Sequence, residues 1–192
     1  MKLIHTDIEG VFVIEPQIFE DSRGYFFESF NHSKFAALTG IDTVFVQDNE
    51  SRSKQGVVRG LHFQLAPYAQ SKLVRVTEGE ILDIAVDLRR GSPTFGHHVG
   101  VLLSADNHRQ LFIPRGFAHG FVVRRGDAVV HYKCDNPYTP AAERAIRWND
   151  PTLNIDFGIA AQQAILSAKD AANPLLTQCD ELFDYNIDYY AE

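Results

Sequence analysis

The strongest constraint on this chain is a succession of short runs rich in β-branched and aromatic residues, broken at fairly even intervals by turn residues. The runs are GVFVIEPQIF, GYFFESF, TVFVQDN, GVVRGLHFQ, KLVRVTEGEILDIAVDL, HVGVLLS, QLFIPRGFAHGFVV and AVVHYKC. Turn signals stand between and within them: EDSRG, EGE, RRGSP, SADN, PRG, RRGD and DNPYTP. Many short strands with such punctuation predict an all-β jelly-roll barrel or sandwich. Helical signals are few. HSKFAALTG reads as a short helix stopped by its glycine, and helical periodicity returns near AAQQAILSAKDA. The expected organisation is one domain over residues 1–192, with a jelly-roll core over about 11–150 and a C-terminal helical segment over about 151–184.

Alternation assigns faces within the runs. In GEILDIAVDL, Leu82, Ile84, Val86 and Leu88 share one side, and Asp83 and Asp87 lie on the other. Lys72 travels with Val74 and Val76, Tyr132 with Val130 and Cys134, and His119 with Phe117, Phe121 and Val123. Gln47 and Asn49 share a face with Phe45. A lysine, a tyrosine and a histidine facing into a small barrel are costly unless they pair or line a pocket. In RGLHFQ, strict alternation sets Arg59 and His62 on opposite faces; a bulge at Gly60 would bring them together. His62 alone fits a core histidine bonded to backbone as well as a catalytic one. Its company with Arg59, Lys72, His119 and Tyr132, spread over separate strands of one barrel, points to a small-molecule site.

Charge and composition narrow the partners. The net charge is −7 and no run is rich in Lys or Arg, which argues against nucleic acid or an anionic membrane. No stretch of about 18 uncharged apolar residues occurs, and the N-terminus lacks a long apolar core, so a cytoplasmic protein is expected. The two cysteines, Cys134 and Cys179, have no metal-like spacing. A metal-binding barrel would show a closely spaced His-x-His pair, but Phe63 and Gln64 follow His62, and His97 and His98 are adjacent. No bound metal is therefore expected. No GxSxG elbow, phosphate-binding loop or GxGxxG follows a strand, which disfavours nucleophilic hydrolysis and nicotinamide chemistry.

The stretches FEDSRGYFFESF, VQDNESRS, GVVRGLHFQ, KLVRVTEGEILDIAVDLRRGSPTFG, LFIPRGFAHGF, YKC, IRWNDP and LSAKD, in this order from about Val11 to Asp170, resemble the dTDP-4-dehydrorhamnose 3,5-epimerase family. The resemblance implies an RmlC-like cupin jelly roll with a few short peripheral helices. It implies roles too. His62 would be the base that takes a proton from the sugar, Asp170 the carboxylate paired with it, Lys72 the cation at the enolate oxygen, and Tyr132 the acid that returns a proton. Arg23, Glu28, Gln47, Asp48, Asn49, Arg59, His119, Glu143 and Lys169 would hold the nucleotide sugar, and Phe26 and Tyr138 would stack on its base or line its pocket. Family resemblance further implies a homodimer that exchanges N-terminal strands and needs no metal or organic cofactor. Without it, Asp170 reads equally as a helix-end acid, Lys72 as a snorkelling surface cation, Tyr132 as a wall residue and Arg23 as a turn charge. Three functions stay open at this point: epimerisation at C3 and C5, epimerisation at one carbon of a related 4-keto deoxysugar, and non-catalytic binding of a sugar nucleotide. Residues 185–192, YNIDYYAE, lie outside the resemblance.

Overall fold

A computed structural model describes residues 1–191. In chain order its strands are β1 (Lys2–His5), β2 (Phe12–Glu15), β3 (Phe19–Asp21), β4 (Gly24–Phe26), β5 (Gln47–Ser53), β6 (Val58–Gln64), β7 (Lys72–Asp87), β8 (Arg89–Arg90), β9 (His98–Ser104), β10 (Gln110–Ile113), β11 (Phe117–Cys134), β12 (Glu143–Ala145) and β13 (Phe183–Asp184). Nine of them make one antiparallel sheet in the order β1-β2-β10-β7-β11-β6-β12, with β5 added on β11 and β9 on β7. The all-β expectation holds.

The sheet doubles over because its two longest strands bend. EGE and RRGD, expected as turns, lie inside β7 and β11, where the register shifts. Gly79 and Gly126 mark the bends with φ of 74° and 62°. At Gly79 only glycine fits: a Cβ would sit 2.2 Å from the Asp127 carbonyl oxygen. A glycine reads alike in a hairpin turn and in a bulge, so the sequence suggested four strands where two run through. The start of β7 pairs with β10 and the end of β11, which also carries β5; the end of β7 pairs with β9 and the start of β11, which also carries β6.

Both faces of this folded sheet carry core residues. The interior core holds Val74, Val76, Ile81, Leu111, Phe121 and Val130, drawn from both halves. Ile84, Val86 and Leu88 point the other way, as alternation placed them, and pack under Ile146, Trp148, Leu153, Phe157, Leu176 and Phe183 from the C-terminal segment. A third cluster joins Phe12, Phe112 and Leu73 to helix α1 (His32–Thr39) through Phe35. Asn31 caps that helix by accepting from the Lys34 amide at 3.1 Å, and Gly40 ends it at φ 75°. Phe45 packs edge-on against Phe30 and Phe35, so it does not share the face of Gln47 and Asn49.

The C-terminal segment corrects an expectation. Residues 151–184, read as helical, contain only the short α2 (Ala168–Ala171), one 3₁₀ turn at Leu176–Gln178 and β13. Ile165 lies inside the expected helix but is extended: it accepts from the Val58 amide at 3.0 Å and donates to the Gly56 carbonyl at 2.9 Å. Pairing with the start of β6 satisfies its backbone without a helix, and irregularly spaced apolar residues plug the sheet's outer face. Tertiary contact overrides periodicity here. The tail, unexplained by sequence, is also tied down: Arg89 lies over the Tyr185 ring and Arg115 over that of Tyr190.

Candidate active site

The bulge suspected at Gly60 is present. His62 pairs with His119 while Arg59 pairs with Phe121, so three steps along β6 match two along β11. The extra residue puts Arg59 and His62 on one face. Gly60 and Gly120 allow it by close approach, for a Cβ on Gly60 would lie 2.5 Å from the His119 carbonyl oxygen.

That face opens into a cavity of about 290 Å³, whose walls include His62, Lys72, Tyr132, Gln47, Asn49 and Glu143. His62 Nε2 lies 2.7 Å from Asp170 Oδ1. The sequence around Asp170 builds this contact. Ser167 caps α2, accepting from the Asp170 amide at 3.0 Å, and its hydroxyl donates to Asp170 Oδ2 at 2.7 Å. The Gly60 amide approaches Asp170 Oδ1 at 3.4 Å. Burial pushes the Asp170 carboxyl up, but the hydrogen bonds from His62, Ser167 and Gly60 outweigh it and hold the group below its usual range. Asp170 is therefore an ionised partner that fixes the imidazole.

Lys72 and Tyr132 enter from the other half of the sheet, where Lys72 pairs with Cys134 and Tyr132 with Val74. The Lys72 ammonium lies 6.0 Å from the Tyr132 ring centre and has no ion pair or hydrogen bond among the described residues. Burial lowers its pKa, opposed by the fields of Cys134, Asp83 and Glu143. Burial also raises the Tyr132 hydroxyl, so the phenol is firmly protonated at neutral pH.

The rim is pinned by amides and carboxylates. Gln47 Oε1 accepts from the Tyr138 amide at 2.8 Å, and buried Gln64 accepts from the Thr139 amide at 2.7 Å. The Tyr138 hydroxyl donates to Glu143 at 2.7 Å, and Lys169 pairs with the same carboxylate oxygen. Arg59 donates to Ser53 at 2.9 Å. Asp48 alternates away from Gln47 and Asn49 and pairs with Lys133 at 2.8 Å. Arg23, Phe26 and Glu28 line no part of this cavity. Arg23 and Phe26 sit on the exposed β3–β4 hairpin, with Arg23 held by Asp21 at 2.6 Å, and Glu28 pairs with Lys34 at 2.9 Å.

Two members escaped sequence reading. Asp83 is fully buried with its Oδ1 2.7 Å from Nε2 of His119. Residues 72, 74 and 76 and residues 83, 85 and 87 have opposite parity, and only the irregularity near Gly79 places them on one face. Ser167 was invisible because capping depends on where the short helix begins. Among the described residues, no three His, Cys, Asp or Glu side chains form a metal-type cluster, and no helix is long and apolar enough to cross a membrane.

Known proteins resemble this arrangement. A family model described as dTDP-4-dehydrorhamnose 3,5-epimerase matches residues 5–178. The dTDP-4-dehydrorhamnose 3,5-epimerase of Salmonella typhimurium is 53% identical over 178 residues, 93% of this chain and 97% of its own. The crystal structure of dTDP-6-deoxy-D-glucose-3,5-epimerase RmlC from Legionella pneumophila, in complex with dTDP-4-keto-L-rhamnose, superposes with a TM-score of 0.93 at 49% identity, covering 97% of this chain and 99% of that one. ChmJ, a 3'-monoepimerase from Streptomyces bikiniensis in complex with dTDP-quinovose, gives a TM-score of 0.83 at 33% identity, over 90% of this chain and 86% of that one.

Proposed function

The chain belongs to the dTDP-4-dehydrorhamnose 3,5-epimerase family, and we propose that it inverts C3 and C5 of dTDP-4-dehydro-6-deoxy-α-D-glucose to give dTDP-4-dehydro-β-L-rhamnose. The C4 ketone acidifies the hydrogens on both neighbouring carbons. His62 removes one as a proton, leaving an enolate whose charge gathers on the C4 oxygen. Lys72 meets that charge, an oxyanion-type contribution of roughly 3–4 kcal/mol. Tyr132 returns a proton to the opposite face of the carbon, which inverts it; solvent then takes the proton from His62 and restores one to Tyr132, and repetition at the second carbon completes the isomerisation. Asp170 orients His62 and stabilises the imidazolium between steps.

The observation that carries this reading is the cavity itself. It holds a carboxylate-oriented imidazole, a protonated phenol and an ammonium with no partner among the described residues. A module that only bound sugar nucleotides would have no use for that set. Inversion at a single carbon is the second reading, and the more distant likeness to the monoepimerase makes it the weaker.

Arg23, Phe26 and Glu28 reach nucleotide in this reading only from a second copy of the chain, whose exposed hairpin carries Phe19, Tyr25 and Phe26. The working unit is then a homodimer, placed in the cytoplasm with the nucleotide-sugar pool. The deciding experiment supplies dTDP-4-dehydro-6-deoxy-D-glucose in deuterated water and locates the label. Deuterium at C3 and C5 with both centres inverted supports the proposal. Label at one carbon selects the monoepimerase, and no label leaves a binding protein.

A further inference from the structure

Strand β7 carries Asp83 into the interior opposite Phe121, on the face of His119 and His62. Its carboxylate is wholly buried, and only Oδ1 is bonded, to Nε2 of His119 at 2.7 Å. Oδ2 is buried with no hydrogen-bond partner among the described residues. An ionised oxygen buried without a donor is costly unless a cation lies in its field. The ammonium of Lys72, likewise unpartnered, shares that interior.

Other groups facing Lys72 do not supply the balancing charge. Cys134, beside it on β11, has its thiol pushed up to about 11 by burial and is neutral at working pH. The Glu143 carboxylate on β12 is committed to Lys169 and Tyr138. Tyr132 is protonated. His119 is driven towards its neutral form mainly by burial, with Asp83 opposing and Lys72 and His62 reinforcing. His62 on β6 and Arg59 beside it carry no negative charge, and on this face β5 contributes only neutral side chains, Gln47 and Asn49 among them. The Asp170 carboxylate is committed to His62 and Ser167, which leaves Asp83.

We propose that Asp83 is a positioning residue for the epimerisation: it fixes the ring and tautomer of His119 and supplies the negative charge that balances Lys72 inside the cavity. With Nε2–H of neutral His119 given to Asp83, Nδ1 is left as an acceptor for a substrate hydroxyl. Lys72, held as an ammonium, meets the enolate oxygen. The inference rests on the epimerase reading above.

The test is Asp83→Asn in the full chain, following kcat and KM across pH and deuterium incorporation from solvent, with dTDP affinity and far-UV circular dichroism as checks on folding. The expected result is a fall in kcat of roughly tenfold or more with KM little changed. The alkaline limb of the rate profile should move to lower pH by about one unit, because Lys72 loses its proton more readily without the neighbouring anion. A merely structural aspartate would leave that limb in place. If Asp83→Asn does not fold, Lys72→Arg serves. A guanidinium stays charged without help, so the limb should move up towards the titration of the Tyr132 phenol, and a limb that stays in place overturns the proposal. Wild-type turnover with an unchanged rate and limb in Asp83→Asn overturns the inference alone. A wild type that incorporates no deuterium overturns the epimerase reading and this inference with it.

Discussion

Asp83 and Asp87 stand on the same strand, on the same face, and neither has any exposed surface. Their bonding differs completely. Asp87 accepts from the Arg89 amide and Nε at 2.9 Å each, from Arg89 Nη2 at 2.8 Å, and from the hydroxyls of Ser92 and Thr94 at 2.7 Å each. Asp83 has one ring nitrogen and a bare oxygen. A buried carboxylate whose lone pairs are all used holds a fold together; here it closes the turn that follows β7. One left half-bonded beside a cavity has capacity to spare for a reaction. Burial alone does not separate the two, and satisfaction does.

The largest effect expected from that contrast falls on the satisfied acid. Asp87→Ala leaves the Arg89 guanidinium, which is mostly enclosed, without its counter-ion. Breaking such a pair costs about 3–5 kcal/mol, or roughly 10 °C of melting temperature in a chain of this size. The turnover of the molecules that fold should match wild type. A thermal melt and an active-site titration check both halves. The pH dependence follows from sign. Burial raises the Asp87 carboxyl, but its five donors win and hold it below the ordinary 3.8. Its contribution is therefore complete above that value and lost as pH falls through the lower folded one. Asp87→Asn should flatten the acid limb of the stability curve below about pH 4.

Asp170 sharpens the comparison, since it is well satisfied yet one of its donors, His62, faces the cavity. Asp170→Asn should lower kcat by roughly 10²-fold or more by freeing the tautomer of His62, with a melting temperature close to wild type. Single-turnover deuterium incorporation measures it. Equal loss of stability and rate would place Asp170 with Asp87 instead.

A double-mutant cycle reaches smaller energies. If Asp83 balances Lys72, the stability changes of Asp83→Asn and Lys72→Met should couple by about 1 kcal/mol in chemical denaturation. Asp87→Asn, at the far end of the same strand, should add to Lys72→Met within about 0.5 kcal/mol. Coupling of the same size at both acids would erase the distinction.

Most of this architecture was legible because strands write themselves in alternation. Leu82, Ile84, Val86 and Leu88 lie together, and Lys72 and Tyr132 face inward with Val74 and Val130, as two-residue periodicity requires. Asp83 was hidden because the irregularity near Gly79 resets parity, and with EGE read as a turn nothing tied the faces before it to those after it. The Gly60 bulge was readable only as an option, because a glycine permits close approach without demanding it. Residues 151–184 misled because the helical spacing near AAQQAILSAKDA suits an extended plug equally, one whose backbone bonds go to a neighbour. The placement of Arg23, Phe26 and Glu28 away from the cavity had no signal in the sequence, since the spacing of residues along a chain does not say where a hairpin lies.

The smallest effect concerns the tail and tests whether satisfaction predicts structure elsewhere. Asp135 repeats the Asp87 pattern near the start of β7. It accepts from the Ser71 amide at 2.6 Å, from Arg115 Nε at 3.0 Å and from the Thr43 hydroxyl at 3.1 Å. Tyr190 closes the ring: its hydroxyl lies 2.7 Å from Ser71 Oγ and accepts from the Arg115 amide at 3.2 Å, while Arg115 stacks 5.1 Å above its ring. Tyr190→Phe keeps the stacking and removes only the hydroxyl, leaving the fully buried Ser71 Oγ unpaired. The expected loss is about 1 kcal/mol, read as a drop of a few degrees in melting temperature. Ser71 immediately precedes Lys72, but the Asp135 bond still holds its backbone, so kcat should stay within about twofold of wild type. A large fall in kcat with no change in melting temperature would move the tail from the structural class of Asp87 to the functional class of Asp83.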